Sequence, residues 1–163
     1  MYRIGIITVS DKGSRGERVD ESGPVIQTMV EALGKVVCYK ILPDDLDALI
    51  EAMIGMAEQE QVELLLTTGG TGLSRRDVTP EATLAVIERL VPGIPEAMRA
   101  ESLKKTNRAM LSRAVAGVRG NTLIINLPGS VKGVRECLEV ILPALPHALD
   151  ILTGRSNECG VSE

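Results

Sequence analysis

A glycine-rich loop at residues 67–80, TTGGTGLSRRDVTP, constrains the fold of this chain more than any other stretch. It follows the apolar run VELLL at 62–66, which is typical of a buried strand. It ends at Thr79 and Pro80, so Thr79 is predicted to cap a helix that begins at Pro80. A strand, a glycine-rich loop and a helix in this order predict an α/β fold, in which ligands bind at the carboxyl ends of the strands.

The glycines of this loop predict a phosphate site. Three glycines within residues 69–72 let backbone N–H groups turn toward an anion, and the helix that follows adds its positive dipole end. The sequence has neither the Gly-Lys-Ser/Thr ending of a P-loop nor the spacing of the dinucleotide fingerprint. Asp77 lies beside this anion site, which predicts a metal ion or an oriented water molecule. The alternative is that Asp77 pairs with Arg75 or Arg76 on a solvated loop.

The first predicted strand also ends in polar residues. Residues 2–9, YRIGIITV, are rich in β-branched side chains and predict a strand. The loop that follows at 10–16 is polar and contains glycine, and Ser10 and Asp11 are candidates to face a nucleotide. The alternative for this loop is a mobile surface segment.

A second aspartate lies at a predicted strand end. Residues 35–42 predict a strand, and Asp44 follows it directly after a proline. The carboxyl ends of parallel strands meet at one edge of a sheet, so Asp44 can face the same crevice as Asp77. Asp45 is predicted to cap the next helix.

The remaining pattern alternates helices and strands. A Gly120-Asn121 turn predicts a hairpin between 111–119 and 122–126, which adds an antiparallel strand to a mostly parallel sheet. The expected fold is therefore a three-layer α/β/α sandwich with a Rossmann-like sheet. It forms a single domain over 1–163, with a flexible tail at 155–163. The predicted helices are 22–33, capped by Ser22 and ended by Gly34, and 46–57, 80–91, 95–107, 134–141 and 145–152.

Composition excludes several classes of protein. The chain has 163 residues, 44% apolar content, a net charge of −4 and only two aromatic residues, which argues against a nucleic-acid binder. It has no apolar run of membrane-spanning length and no secretory leader, so a cytoplasmic protein is expected. Cys38, Cys137 and Cys159 suggest neither a zinc site nor a disulfide framework, and Cys38 and Cys137 are predicted to be small core residues. The single histidine, His147, lies far from any nucleophile motif, which argues against a Ser-His-Asp hydrolase.

Five short motifs stand out along the chain, namely TTGGTG at 67–72, RDVTPEA at 76–82, NLPGS at 126–130, PD at 43–44 and LSR at 111–113. Together they resemble motifs of the molybdenum-cofactor biosynthesis family. The resemblance covers nearly the whole chain and is greatest for the molybdopterin adenylyltransferase (MogA-like) branch, to which MoaB proteins and the gephyrin G domain are related.

This resemblance implies an enzyme that binds ATP and molybdopterin. It implies transfer of AMP to the terminal phosphate of the pterin with release of pyrophosphate, a homotrimer, and hand-over of the product to a molybdenum-insertion protein. The implied catalytic residues are Asp44 and Asp77, which would also hold magnesium. The implied nucleotide-binding residues are Ser10, Asp11, Gly69, Gly70, Thr71 and Gly72. The implied pterin-binding residues are Ser112, Pro128, Gly129 and Ser130.

The residues agree with this chemistry, and three alternatives stay open. A substrate phosphate is already anionic at neutral pH and needs no strong general base, and magnesium prefers carboxylate and phosphate oxygens. The alternatives are a non-catalytic pterin-binding or carrier protein of the MoaB-like branch, a scaffold, and a nucleotide hydrolase with a metal-bound water. The apolar face of the last helices favours an oligomer, because it exceeds what one small sheet is expected to cover.

Overall fold

The computed structural model describes residues 1–155. These form a six-stranded sheet with helices on both faces, which confirms the predicted three-layer α/β/α sandwich. Strands β1, β2, β3 and β6 run parallel, and β5 is antiparallel to its neighbours β6 and β4. The order across the sheet is β2-β1-β3-β6-β5-β4. The strands are β1 (Tyr2–Val9), β2 (Gly34–Leu42), β3 (Leu64–Thr68), β4 (Arg89–Leu90), β5 (Ala116–Arg119) and β6 (Thr122–Leu127).

The helices divide between the two faces of the sheet. On one face α2, α5, α6 and α7 pack against β1, β3 and β6, and on the other face α3 and α4 pack against the same strands. The helices are α1 (Asp11–Ser14), α2 (Ser22–Met29), α3 (Leu46–Glu58), α4 (Thr79–Val86), α5 (Gly93–Leu103), α6 (Val131–Ile141) and α7 (Leu145–Leu152), with 3-10 turns at Asn107–Leu111 and Leu142–Ala144.

The sequence of β3 explains why the sheet has a core on both faces. All five residues of this central strand are buried, and side chains alternate between faces along a strand. Leu64 and Leu66 therefore join the core under α2, α6 and α7, while Leu65 joins the core under α3 and α4. Burial of each such leucine contributes about 1.5–3 kcal/mol. The loop that follows β3 therefore begins at the end of a strand that is packed on both faces.

The parallel strands place four turns at one edge of the sheet. β1, β2, β3 and β6 end at Val9, Leu42, Thr68 and Leu127, so their polar continuations lie at the same edge. The strand order reverses between β1 and β3, because β2 lies on one side of β1 and β3 on the other. Such a reversal opens a crevice at the carboxyl ends of the strands, where ligands of α/β proteins bind.

A buried asparagine joins three elements above β6. Asn126 is fully buried, and its amide donates to the Thr67 hydroxyl at 3.0 Å and to the Thr83 hydroxyl at 2.8 Å. Its carbonyl oxygen accepts from the Val115 N–H at 3.1 Å. The side chain therefore ties β3, α4 and the segment before β5 to β6. In the sequence, this residue was only part of the NLPGS motif.

Two predicted helix boundaries on the first half of the chain are wrong. Ser22 is the first residue of α2 and does not cap it, because the Asp20 carboxylate accepts from the Gly23 N–H at 3.1 Å and from the Ser22 hydroxyl at 3.2 Å. Gly34 does not end that helix, which stops at Met29. Instead Gly34 is buried as the first residue of β2, beside the backbone of Tyr2. A preceding carboxylate and a strand pairing decided these two positions.

The segment predicted as one helix at 80–91 also differs. Helix α4 ends at Val86, and the chain continues as a short edge strand beside β5. The Glu88 and Val91 N–H groups donate to Val118 and Ala116 carbonyls at 2.8 and 2.9 Å. Tertiary pairing with an open sheet edge overrides the helical spacing of Leu84, Ile87 and Val91 there.

Four other expectations concern the hairpin, the cysteines, a membrane span and the C-terminal tail. The hairpin at Gly120 is confirmed, but its first strand begins at Ala116. Leu111 ends the preceding 3-10 turn, and residues 112–115 are irregular chain. Cys137 is buried as predicted, whereas Cys38 is only half-buried. Residues 1–155 contain no helix that is long and apolar enough to cross a membrane. The tail predicted at 155–163 lies outside the described residues except for Arg155, which pairs with Glu63.

We predict that Asn126→Ala lowers the free energy of unfolding by about 2–4 kcal/mol, because it removes a fully buried side chain and its hydrogen bonds to the half-buried Val115 N–H and to two buried threonine hydroxyls. Denaturant unfolding monitored by circular dichroism measures this change. Asn121→Ala is the matched control, since Asn121 is exposed in the hairpin turn, and we expect a change within about 0.5 kcal/mol. Equal effects of the two substitutions would contradict the role of Asn126.

Candidate functional site

The glycine-rich loop closes on itself through Thr79. After β3 the backbone turns at Gly69 and Gly70, whose φ angles of 96° and 68° lie in the region that favours glycine. The Thr79 N–H donates to the Gly70 carbonyl at 3.1 Å, and the Thr79 hydroxyl donates to the Gly69 carbonyl at 2.9 Å. The prediction that Thr79 caps α4 is therefore wrong. This fully buried residue begins the helix and closes the loop.

Two of the glycines make room for the two predicted catalytic aspartates. A Cβ atom on Gly70 would lie 3.2 Å from Asp44 Oδ1, and one on Gly72 would lie 2.9 Å from Asp77 Oδ2. Both carboxylates therefore approach the loop backbone where side chains are missing. Asp77 Oδ2 also accepts from the Ser74 N–H at 3.0 Å. The structure thus brings Asp44 and Asp77 to one loop, although they lie on different segments of the sequence.

Asp11 connects the loops that carry these aspartates. Its N–H donates to Asp44 Oδ2 at 3.2 Å, and its Oδ1 accepts from the Asp44 N–H at 3.0 Å. Its carboxylate also accepts two hydrogen bonds from Arg76, at 2.8 and 3.0 Å. The alternative in which Asp77 pairs with Arg76 is therefore not what the structure shows. Asp11 is predicted to bind nucleotide, and in this structure its carboxylate is engaged by Arg76 and by the Asp44 backbone.

Negative charge is concentrated around Asp44. Burial, together with the nearby Asp11 and Asp77 carboxylates, raises the pKa of Asp44. The hydrogen bond from Arg76 lowers the pKa of Asp11. Within residues 1–155, no group of three or more histidine, cysteine, aspartate or glutamate side chains is arranged to hold a metal ion. The donor set of Asp44 and Asp77 fits magnesium only if phosphate oxygens complete its ligands, which is how magnesium is often held.

A first cavity, the switch-point cavity, lies between the ends of β1, β3 and β6 and has a volume of about 730 Å³. Ser10, Gly69, Gly129 and Ser130 of the predicted site residues line it. The N-terminus of α6 also faces it, and the Ser130 hydroxyl caps that helix by accepting from the Gly133 N–H at 3.1 Å. Ser10 likewise caps α1. Each hydroxyl keeps its proton free to donate to an anion.

A second cavity, the basic cavity, has a volume of about 380 Å³. Five of the predicted site residues line it, namely Thr71, Gly72, Ser112, Pro128 and Ser130. Its lining also holds four cationic side chains and one carboxylate, so its charge favours an anionic ligand. Those side chains are Arg99, Lys105, Arg108, Lys132 and Glu136. No motif in the sequence marks these four cations, which come from α5, the turn after it and α6.

The two cavities meet at the glycine-rich loop. Gly69 lines the switch-point cavity, Thr71 and Gly72 line the basic cavity, and Ser130 lines both. The turns after β3 and β6 touch here, since a Cβ atom on Gly129 would lie 3.3 Å from the Gly69 Cα, and the Thr68 hydroxyl donates to the Pro128 carbonyl at 2.7 Å. Both cavities fall within or close to the roughly 300–1,000 Å³ of small-molecule sites. Two different ligands can therefore meet across one loop.

The segment of sequence that forms this loop and most of the lining of its two cavities matches a known family. A family model described as "Probable molybdopterin binding domain" matches residues 5–147. The chain belongs to this molybdopterin-binding family. The match includes all twelve site residues expected from the resemblance, from Ser10 to Ser130.

Relatives of the family carry more than one name. A molybdopterin adenylyltransferase from Helicobacter pylori is 43% identical over 93% of this chain and 88% of its own length. Gephyrin from Dictyostelium discoideum is 42% identical over 93% of this chain, which spans 23% of gephyrin. The crystal structure of the molybdopterin biosynthesis enzyme MoaB from Thermus thermophilus is 52% identical, covers 94% of this chain and 98% of its own, and superposes with a TM-score of 0.89.

We predict that Gly70→Ala lowers the free energy of unfolding by about 1–3 kcal/mol, because alanine is strained at this φ angle and its methyl group collides with the Thr79 hydroxyl. Thermal and denaturant unfolding measure the loss. Gly55→Ala is the control, since Gly55 lies within α3 with only the end of the Gln59 side chain nearby, and we expect it to stabilise by about 0.5–1 kcal/mol. A Gly70→Ala variant as stable as the wild type would contradict the loop closure.

Proposed function

We propose that this chain is a molybdopterin adenylyltransferase, which transfers AMP from ATP to the terminal phosphate of molybdopterin and releases pyrophosphate. The observation that carries the proposal is the glycine-rich loop, which lies between two cavities and has Asp44 and Asp77 against its backbone. The relatives named molybdopterin adenylyltransferase support it, since they match almost the whole chain.

In this proposal the nucleotide occupies the switch-point cavity and the pterin occupies the basic cavity. The switch-point cavity offers the α6 N-terminus and the Ser10 and Ser130 hydroxyls to phosphate oxygens. The basic cavity offers Ser112 and the four cations to the anionic pterin phosphate. The two reacting phosphates then meet at residues 69–72, where backbone N–H groups can stabilise charge on the α-phosphate during transfer.

The reaction requires little acid–base chemistry from the protein. The attacking phosphate is already anionic, so the residues bind and orient the two substrates and need not remove a proton. His147 is exposed on α7, in keeping with a mechanism that uses no histidine. Asp44 and Asp77 would hold magnesium together with phosphate oxygens. When bound, magnesium supplies positive charge that offsets the triphosphate.

A second candidate is pterin binding without adenylyl transfer, as in the carrier alternative for MoaB-like proteins. The observation behind this candidate is the 52% identity to the Thermus thermophilus structure that carries the name MoaB. The two candidates differ in ATP consumption, because a carrier would bind the pterin and leave ATP intact. In the adenylyltransferase proposal the product would pass to a protein that inserts molybdenum.

We predict that Asp44→Asn and Asp77→Asn each reduce adenylyl transfer roughly 100-fold or more, because each removes a charge that acts on the reacting phosphates. Pterin affinity and melting temperature are expected to stay close to wild type, since asparagine keeps the shape of the side chain. Pyrophosphate release, pterin affinity and melting temperature are measured on the same preparations. Asp47→Asn is the matched control, as Asp47 is an exposed aspartate in the first turn of α3, and it should keep full turnover.

The same measurements separate the alternatives. Full pyrophosphate release by Asp77→Asn would remove that residue from the mechanism. A loss of turnover that follows a lowered melting temperature would give the aspartates a structural role only. A wild-type protein that binds pterin and releases no pyrophosphate would support the carrier.

We also propose a homotrimer. The last helices give this proposal little support, because Leu145 and Leu149 of α7 are buried within this chain and Ile151 is exposed. Exposed apolar side chains elsewhere now support an oligomer, among them Leu73, Leu84, Leu90 and Met110. Light scattering at micromolar concentration is expected to give three times the mass of one chain. A mass of one chain would contradict the trimer.

A further inference from the structure

Arg113 makes an unusual set of contacts beside the glycine-rich loop. Its Nε donates to the Gly72 carbonyl at 2.7 Å, and its Nη2 donates to the Asp77 carbonyl at 2.8 Å. Its Nη1 pairs with the Glu81 carboxylate in the first turn of α4. Its own N–H donates to the Thr71 carbonyl at 3.0 Å. One residue therefore holds the loop at its beginning, at its end and at the helix that follows.

These contacts need an arginine. The planar guanidinium presents its donors in a fixed fork, so one side chain can reach two main-chain carbonyls five residues apart and a carboxylate at once. Between those carbonyls the loop is exposed at residues 73–76. Only 33% of the Arg113 side chain is exposed, so its hydrogen bonds are partly shielded from water. Without this fork, the segment that carries Asp77 would be held by fewer bonds.

The segment that carries Arg113 is itself anchored from the opposite side. Arg99 on α5 donates to the carbonyls of Ser112 and Ala114, at 3.3 and 3.1 Å. Both Arg99 and Ser112 line the basic cavity. Residues 112–114 thus connect the wall of the basic cavity to the loop that carries Asp77.

We infer that Arg113 is a positioning residue that fixes the backbone of Asp77 beside Gly72, and with it the carboxylate that acts on the reacting phosphates. This inference rests on the proposed function for its effect on turnover, and its effect on the loop can be measured without turnover. Arg113 touches neither reacting group in this scheme. It acts through the position of Asp77.

The chain supplies a matched control in Arg119. This arginine lies on β5, six residues further along, and is 25% exposed. It also forks between a main-chain carbonyl and a carboxylate, with Nη1 donating to Val86 at 2.8 Å and Nε and Nη2 donating to Glu58 at 3.1 and 2.6 Å. None of these partners belongs to the glycine-rich loop at residues 67–80. Loss of Arg119 therefore removes comparable bonds at a distance from Asp77.

The test compares Arg113→Lys, Arg113→Ala and Arg119→Ala with the wild type in the full-length protein. Hydrogen exchange of the loop amides, kcat, KM for ATP and melting temperature are measured for each. A misplaced catalytic group can cost about 100-fold in rate, so we expect kcat of Arg113→Ala to fall by that order with KM changed less than about 3-fold. Exchange should rise in residues 72–78 and not in the strands. Arg119→Ala should keep its kcat and its loop exchange.

Two further results make the test specific. Arg113→Lys keeps the charge but cannot bind both carbonyls, so its kcat should lie closer to Arg113→Ala than to the wild type. Added guanidinium at millimolar concentration should restore part of the activity of Arg113→Ala, and ammonium at the same ionic strength should not. Arg113→Lys also decides the inference if the alanine variant fails to fold.

Unchanged loop exchange in Arg113→Lys would overturn the inference, as would equal losses of kcat in Arg113→Ala and Arg119→Ala. A wild-type protein without adenylyl transfer would overturn the proposed function instead. In that case the exchange of residues 72–78 would still decide whether Arg113 fixes the loop.

Discussion

The site depends on the closure of the loop at Thr79. The hydroxyl of this buried residue donates to the Gly69 carbonyl and its N–H donates to the Gly70 carbonyl. The loop therefore begins at the end of β3 and returns to the same point at Thr79. A side chain at position 70 would collide with that hydroxyl, which explains why glycine is required there. The closure fixes both the start of α4 and the path of the residues that carry Asp77. A buried polar contact of this kind is strong because its partners have no water to replace it.

The parallel sheet supplies the other half of the site. Because four strands end at one edge, the sheet itself brings together Ser10, Asp44, the glycine-rich loop and the turn at Pro128. The loop then lies between a cavity with helix N-termini and a cavity with four cations. The four cations suit an anionic ligand in the second cavity, whereas the first cavity offers backbone N–H groups and Arg18 beside two carboxylates, Asp20 and Glu21. Asp44 and Asp77 lie against the backbone of the loop between the two cavities, and a divalent cation bound there would offset their charge.

Some of these features can be predicted from the sequence, and others cannot. Residue types at strand ends correctly place Asp44, Asp77 and the glycines together, because β-strand periodicity and glycine-rich turns are local signals. Prediction from the sequence fails where a tertiary contact decides between local options. Residues 89–90 lie within a segment that has helical spacing, but they pair with β5. Asp20 replaces Ser22 as the acceptor at the start of α2. The contacts of Arg113 and Asn126 also could not be predicted from the sequence, because each residue joins segments about 10 to 60 residues apart.

The central claim is that the α-phosphate of ATP moves to molybdopterin. The most direct measurement incubates the protein with magnesium, molybdopterin and ATP labelled either at the α- or at the γ-phosphorus, and then separates the pterin from the nucleotides. Adenylyl transfer predicts that the pterin acquires label from α-labelled ATP only, and that γ-label appears only in pyrophosphate. Label on the pterin from the γ-position, or α-label released as free AMP with an unlabelled pterin, would contradict the account.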